Sequence, residues 1–271
     1  MPVPSLIQRV FLNLADAVFD RRPCPVPDRE RLQACRIISH RGSYDNRQIV
    51  ENTLAAFDRA SGAGVWGIEM DIRWTRDLVP VIYHDNDLNR LYGLSQSIDS
   101  LTQAELKQSC PAIPSLTDVV ARYGKKFHLM IEVKQQSWPA PQVQEQRLME
   151  MLQPLEPIQD YHLLALDPAV LQHFCRLPPR VRVAIADSWP ASASRWVRRH
   201  DWGGFCGHYL LVAQTMVRDH HQQHQQVGTG YVRSCSCLFR ELNRGIDWIF
   251  SNHAVALQGK LDSIITNSGL V

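Results

Sequence analysis

No stretch of this 271-residue chain approaches the roughly 20 consecutive apolar residues that a membrane-spanning helix requires. Nor does one sign of charge dominate: 29 Lys and Arg stand against 27 Asp and Glu, so the formal charge is only +2. That balance gives no electrostatic argument for nucleic acid as a partner. The seven cysteines are odd in number and scattered, with only Cys235 and Cys237 close together. They form neither a disulfide framework nor a zinc pattern of the CxxC type, and one residue between two cysteines would close a strained ring. The N-terminus lacks a basic segment followed by a continuous apolar core and a small-residue cleavage site. A reducing compartment follows, and the cytoplasm is the expected location.

What is present is a globular composition, 45% apolar and 21% charged, with enough chain for a sizeable core. From Arg36 onward apolar strands alternate with helical patterns, the signature of a parallel sheet with crossover helices. Strands are predicted at 36–41, 67–74, 128–133, 161–166, 181–186, 205–212, 227–232 and 247–251, and a further one at 78–83 extends its predecessor. Helices are predicted at 115–123, 143–152, 168–175, 192–200, 213–221, 237–244 and 255–266. Eight repeats over residues 36–271 predict a (β/α)₈ TIM barrel, interrupted by a short insertion at 85–114. In such a barrel, chemistry belongs where the strands end.

Residues 1–35 form a separate N-terminal region. Leu6, Ile7, Val10, Phe11, Leu14, Ala17 and Val18 fall at helical spacing over residues 5–19, with Arg9, Asn13 and Asp16 opposite, before a proline-rich linker. This amphipathic helix is expected to plug the bottom of the barrel or to pack on its outside. Its alternative role is peripheral contact with a membrane, although its polar face is not strongly basic. The sequence carries no signal for oligomeric state.

The segment His40–Asp85 concentrates chemistry-bearing residues. The run 36–39 delivers His40 and Arg41, and Gly42 then permits a sharp turn. Thr53 is placed to cap a helix that Gly62 and Gly64 end. Glu69 and Asp71, two residues apart on a strand, point to one face. Two carboxylates on one buried face repel unless a positive charge lies between them, and a divalent cation with oxygen ligands answers that need. His84 and Asp85 end the next strand. The three histidines of residues 219–226 invite a second metal reading, but they fall on the far side from the strand ends and are read as a solvated helix end.

The order HRG (40–42), ENT (51–53), ExD (69–71), HD (84–85) and IEVK (131–134) resembles the glycerophosphodiester phosphodiesterase family. The resemblance implies a metal site of Glu69, Asp71 and Glu132, with Glu51 as a fourth carboxylate, holding Mg²⁺ or Ca²⁺. It implies His40 and His84 as the general acid and base, which of them is which being open. Arg41 and Lys134 would supply positive charge to the phosphate, the first as a planar fork and the second as a point charge. Asn52, Trp74, Tyr209 and Tyr231 are candidate pocket residues. In the resembled fold the insertion lies over the barrel mouth and helps to shape the pocket; here it is short, with one helix expected at Thr102–Gln108.

The implied reaction is hydrolysis of a glycerophosphodiester to an alcohol and glycerol 3-phosphate, and the implied partner is that small-molecule substrate. A vicinal hydroxyl of the glycerol attacking first, through a cyclic phosphate, is one route. Alternatives are lysophospholipase D-type hydrolysis of lysoglycerophospholipids and a catalytically silent barrel that binds phosphoesters. The chain departs from the family pattern at LLALDP (163–168), where many members carry Ser-Phe, and at GYVRS (230–234), where they carry WTVN. Those departures bear on substrate size more than on catalysis.

Overall fold

The computed structural model describes residues 14, 17–19, 21–186 and 189–267. Among these, nine strands make one sheet: β1 (Ile37–His40), β2 (Gly67–Trp74), β3 (Pro80–Ile82), β4 (His128–Val133), β5 (Tyr161–Ala165), β6 (Arg182–Ala186), β7 (Gly204–His208), β8 (Gln226–Gly230) and β9 (Trp248–Ser251). β1 pairs in parallel with both β2 and β9, which closes the sheet into an eight-stranded parallel barrel. β3 pairs antiparallel to β2 as an outlying extension. The fold is the expected (β/α)₈ TIM barrel.

The helices are α1 (Arg29–Gln33), α2 (Leu54–Gly62), α3 (Asn89–Tyr92), α4 (Gln103–Ser109), α5 (Leu116–Tyr123), α6 (Pro141–Leu152), α7 (Pro168–Leu171), α8 (Pro190–Arg199), α9 (Gln214–His221), α10 (Cys235–Asn243) and α11 (Ala254–Asn267). Thr53 caps α2 by accepting from the Ala56 amide, and Asp167 caps α7 through the Ala169 amide. α7 is shorter than the expected 168–175.

Strands buried on both faces read as nearly continuous apolar runs, and here they serve two cores. Ile38, Met130, Leu164, Val183, Cys206, Trp248 and Phe250 fill the barrel interior. Residues of opposite parity, such as Ile37, Ile68, Leu129 and Ile249, pack outward under the helices. Each such side chain contributes about 1.5–3 kcal/mol by leaving water. The insertion buries Leu88, Ile98, Leu106 and Ile113 in a third cluster shared with Val81 of β3, and Thr102 with Glu105 forms a capping box on α4.

Two expectations change. β7 stops at His208 instead of running to residue 212, because the His208 carbonyl accepts from the Leu211 amide (2.8 Å) and the Val212 amide (3.2 Å), bending the apolar run into a turn. Within the linker, Asp28 caps an unforeseen short helix, α1, which lies against α10 and α11 and whose Leu32 is buried. Most of the expected helix at 5–19 lies outside the described residues; Leu14 and Val18 are exposed, and Phe19 packs edge-on to Tyr209. Among the described residues no helix is long and apolar enough to cross a membrane.

Candidate active site

Sheet register assembles the site. His40 is in register with Glu69 across β1 and β2, and Asp71 with Glu132 across β2 and β4. Glu69 and Asp71 share the inward face of β2. As a result Glu69, Asp71 and Glu132 each offer a carboxylate oxygen within 4.8 Å of the others, all three buried. Lys134, on the inward face just past β4, reaches Glu132 at 2.6 Å and Asp71 at 3.3 Å.

Arg41 adopts a left-handed backbone (φ 58°), as does Asn52 (φ 58°), and each such non-glycine conformation costs on the order of 1 kcal/mol or more. The turn at Arg41 aims its amide at Glu69 Oε2 (3.1 Å) and its guanidinium at Glu51 (3.0 Å) and Asp71 (3.2 Å). Gly42 must be glycine: its φ is +79°, and a Cβ there would stand 2.8 Å from the Ala56 backbone. Asn52 donates from Nδ2 to Asp71 Oδ2 (2.7 Å) and accepts the Asp71 amide (3.3 Å).

The two imidazoles are held alike. His40 Nδ1 donates to Asn252 Oδ1 at 2.6 Å, and His84 Nδ1 donates to Asp85 Oδ1 at 2.7 Å. Both rings line one cavity of about 280 Å³ at the barrel mouth, together with Arg41, Glu69, Glu132 and Lys134. With Nδ1 occupied, each ring keeps Nε2 for chemistry; that of His40 lies 3.7 Å from Glu69 Oε2. The opposite wall is apolar, with Leu164, Leu166, Ile185 and Phe250.

Burial and the adjacent Arg41 push His40 down to about 4. Burial, reinforced by Asp71 and Glu132, lifts the Glu69 carboxyl well above the usual carboxylate range. Burial likewise raises Glu132 against the pull of Lys134. At Asp71 burial is overcome by Lys134 and Arg41, which hold it below the ordinary value. Glu69 Oε1 is moreover a buried oxygen without a hydrogen-bond partner. Three hard oxygen donors, one of them orphaned and electrostatically disfavoured as an anion, fit a divalent cation.

The arrangement corrects four expectations, the first being Asn52, which is buried with its side chain committed to Asp71 and does not line the cavity. Glu51 stands outside the acidic triad: its carboxylate is occupied by Arg41, by Asn46 (2.8 Å) and by both terminal nitrogens of Arg90 (2.6 and 3.2 Å). It anchors arginines instead of completing a metal site. Trp74 lies on the outward face of β2, buried against Trp138 and Phe174, and does not line the cavity. Tyr209 follows the inward His208 and so turns outward, stacked on His208 and packed beneath Arg240. Tyr231 does line the cavity, 61% exposed and stacked on His208.

Asn252, Arg73, Arg90 and His208 escaped the sequence reading. Asn252 and His208 stand at strand ends, a position that alone could have flagged them. Arg73 shares the inward parity of Glu69 and Asp71 and donates from Nε to the His84 carbonyl (2.9 Å). The histidines at 220 and 221 are structural: His220 is buried between Ser194 (2.8 Å) and Gln225 (2.7 Å), and His221 bonds Asp247 (2.9 Å).

Known proteins match this picture. The model of the glycerophosphoryl diester phosphodiesterase family matches residues 40–229. Human glycerophosphodiester phosphodiesterase 1 is 30% identical over 173 residues, 56% of this chain and 51% of that protein. A glycerophosphodiester phosphodiesterase of Caldanaerobacter subterraneus is 34% identical over 110 residues, 36% of this chain and 44% of that one. The chain thus spans about half or less of the length of the curated relatives it matches. Among solved structures, a phosphodiesterase from Oleispira antarctica in complex with the product sn-glycerol-3-phosphate superimposes with a TM-score of 0.70 at 26% identity, covering 84% of this chain and 96% of that one. The glycerophosphodiester phosphodiesterase of Thermotoga maritima, at 21% identity and a TM-score of 0.69 over 82% of this chain and 96% of that one, shares the fold. With its ordered motifs, its barrel and a family match over well over half its length, the chain belongs to the glycerophosphoryl diester phosphodiesterase family.

Proposed function

We propose that this chain hydrolyses glycerophosphodiesters to an alcohol and glycerol 3-phosphate. The observation that carries the reading is the pair of imidazoles, each pinned at Nδ1, opening onto one cavity that is lined by Glu69 and Glu132 of a buried carboxylate triad. Burial lowers both imidazoles; Asp71 and the hydrogen bond to Asp85 oppose it at His84, Asp71 and the hydrogen bond to Asn252 oppose it at His40, and of the two hydrogen-bond partners only Asp85 is a carboxylate. His40 Nε2 is therefore assigned to accept the nucleophile's proton, and His84 to protonate the leaving alkoxide. Arg41 and Lys134 line the cavity and present positive charge to the phosphate oxygens. A divalent cation, Mg²⁺ or Ca²⁺, held by Glu69, Asp71 and Glu132 would supply Lewis-acid polarisation of the phosphoryl group.

The test is release of glycerol 3-phosphate from glycerophosphocholine and other head groups, with and without chelator. Release that stops on chelation and returns with Mg²⁺ or Ca²⁺ is expected. Equal inactivity of wild type and His40→Ala on every diester tried, with Mg²⁺, Ca²⁺ or Mn²⁺ supplied, would replace the enzyme with a phosphoester-binding barrel. The apolar wall of Leu164, Leu166, Ile185 and Phe250 favours a second reading, lysophospholipase D-type turnover, and a comparison of lysophosphatidylcholine with glycerophosphocholine separates the two. Attack by the vicinal hydroxyl predicts a cyclic phosphate in single turnover; full substrate consumption without one removes that route. The cytoplasm remains the proposed location, supported by seven free cysteines.

A further inference from the structure

Helix α3 of the insertion brings one side chain into the site that the reaction above leaves unused. Arg90 donates from Nε to Asp85 (2.5 Å) and from both terminal nitrogens to Glu51 (2.6 and 3.2 Å). Asp85 in turn accepts from His84 Nδ1 (2.7 Å), and Glu51 accepts from Arg41 (3.0 Å). All three guanidinium nitrogens are thus committed to two carboxylates, and each carboxylate holds a side chain of the reacting cavity.

We propose that Arg90 is a positioning residue that sets His84 through Asp85 and Arg41 through Glu51, making the insertion part of the catalytic apparatus. The inference rests on the phosphodiesterase reading for its kinetic consequence, though not for its geometric one. With Arg90 in place, Asp85 is fixed facing Nδ1, so the proton of neutral His84 stays on that nitrogen and Nε2 faces the cavity, where it takes up the second proton that the general-acid role then delivers to the leaving alkoxide. Without it, Asp85, which is partly exposed, is free to rotate towards water and the ring loses its preference between tautomers. Glu51 is buried and would be left with Arg41 and Asn46. Lysine is no substitute, since a point charge cannot bridge two carboxylates through a planar fork. The insertion does not depend on Arg90 for its fold, because Leu88, Ile98, Leu106 and Ile113 hold it by their own burial.

The test compares wild type with Arg90→Ala and Arg90→Lys in the full chain. Two-bond ¹H–¹⁵N correlation of the histidine rings in metal-free protein reads the His84 tautomer directly: Nδ1–H in wild type, a mixture in both variants. In turnover, loss of such an orienting partner is expected to lower kcat by about 10- to 100-fold, with KM changing less than about threefold. Added guanidinium ion should restore part of the Arg90→Ala rate, and lysine should not. Unchanged tautomer and unchanged kcat in Arg90→Ala, or full rescue by lysine, would overturn the proposal while leaving the phosphodiesterase intact. If wild type releases no product from any diester, that reading fails and the tautomer measurement still decides for or against Arg90. Should Arg90→Ala not fold, Arg90→Gln and Asp85→Asn carry the same readouts.

Discussion

Both ends of the barrel interior contain a pair of imidazoles, buried at the floor and part-exposed at the mouth, and only the pair at the mouth is placed for chemistry. At the floor His128 Nδ1 donates to the Gln159 carbonyl (3.0 Å), which leaves its Nε2 to accept from His162 Nδ1 (2.8 Å). Trp66 stacks on His128 and Trp248 meets His162 edge-on, closing that end. At the mouth His40 and His84 bond to separate side chains and keep Nε2 on the cavity. Residue type is the same at both ends; what differs is whether the second nitrogen faces another ring or an opening.

The comparison breaks most visibly in turnover. His40→Ala and His84→Ala should each lower kcat by roughly 10²–10⁴-fold, whereas His162→Leu should leave kcat within about threefold of wild type. Product release under saturating substrate checks this.

Stability sharpens the comparison within the mouth. Asp71 carries Lys134, Arg41 and Asn52, so Asp71→Asn should destabilise the metal-free protein by about 3–5 kcal/mol, read by urea melts. Glu69→Ala should cost little or even stabilise the metal-free protein, because it relieves repulsion among buried carboxylates. The same variant should lose most of the melting-temperature gain that added cation gives wild type. A large loss of metal-free stability would instead make Glu69 a structural partner.

At the floor the effect is one of pH. Burial lowers His128 to about 4 and His162 to about 3, so in the folded protein both stay neutral where the unfolded chain, titrating near 6.5, takes up protons. The unfolded state then binds more protons, and stability falls as pH drops from about 6.5 towards 4. The wild type should lose on the order of 5 kcal/mol more over that window than a His128→Leu/His162→Leu double variant, measured by denaturant midpoints. The smallest change is expected at the rim: Tyr231→Ala should shift KM by less than tenfold and stability by no more than about 0.5 kcal/mol, since the ring is largely exposed.

Much of this architecture was readable in the chain. Strand limits followed from apolar runs bounded by turns, and the spacing of Glu69 and Asp71 placed both on one face. Parity also carried information that the expected pocket walls ignored: if Glu69 and Asp71 face inward, Trp74 faces outward, and Tyr209 opposes His208 in the same way. The partners of Glu51 and His40 were another matter. Arg90 and Asn252 lie 39 and 212 residues away along the chain, and no local pattern connects groups brought together only by the insertion's fold or by barrel closure. The fourth carboxylate was misassigned for that reason, since its role depends on which cations the fold delivers to it.

Residues 85–114 bury apolar side chains of their own while reaching into the site through a guanidinium. That combination makes the segment exchangeable. Its loops and helices are at liberty to be rewritten by evolution or by grafting, provided the graft keeps an arginine that spans Asp85 and Glu51.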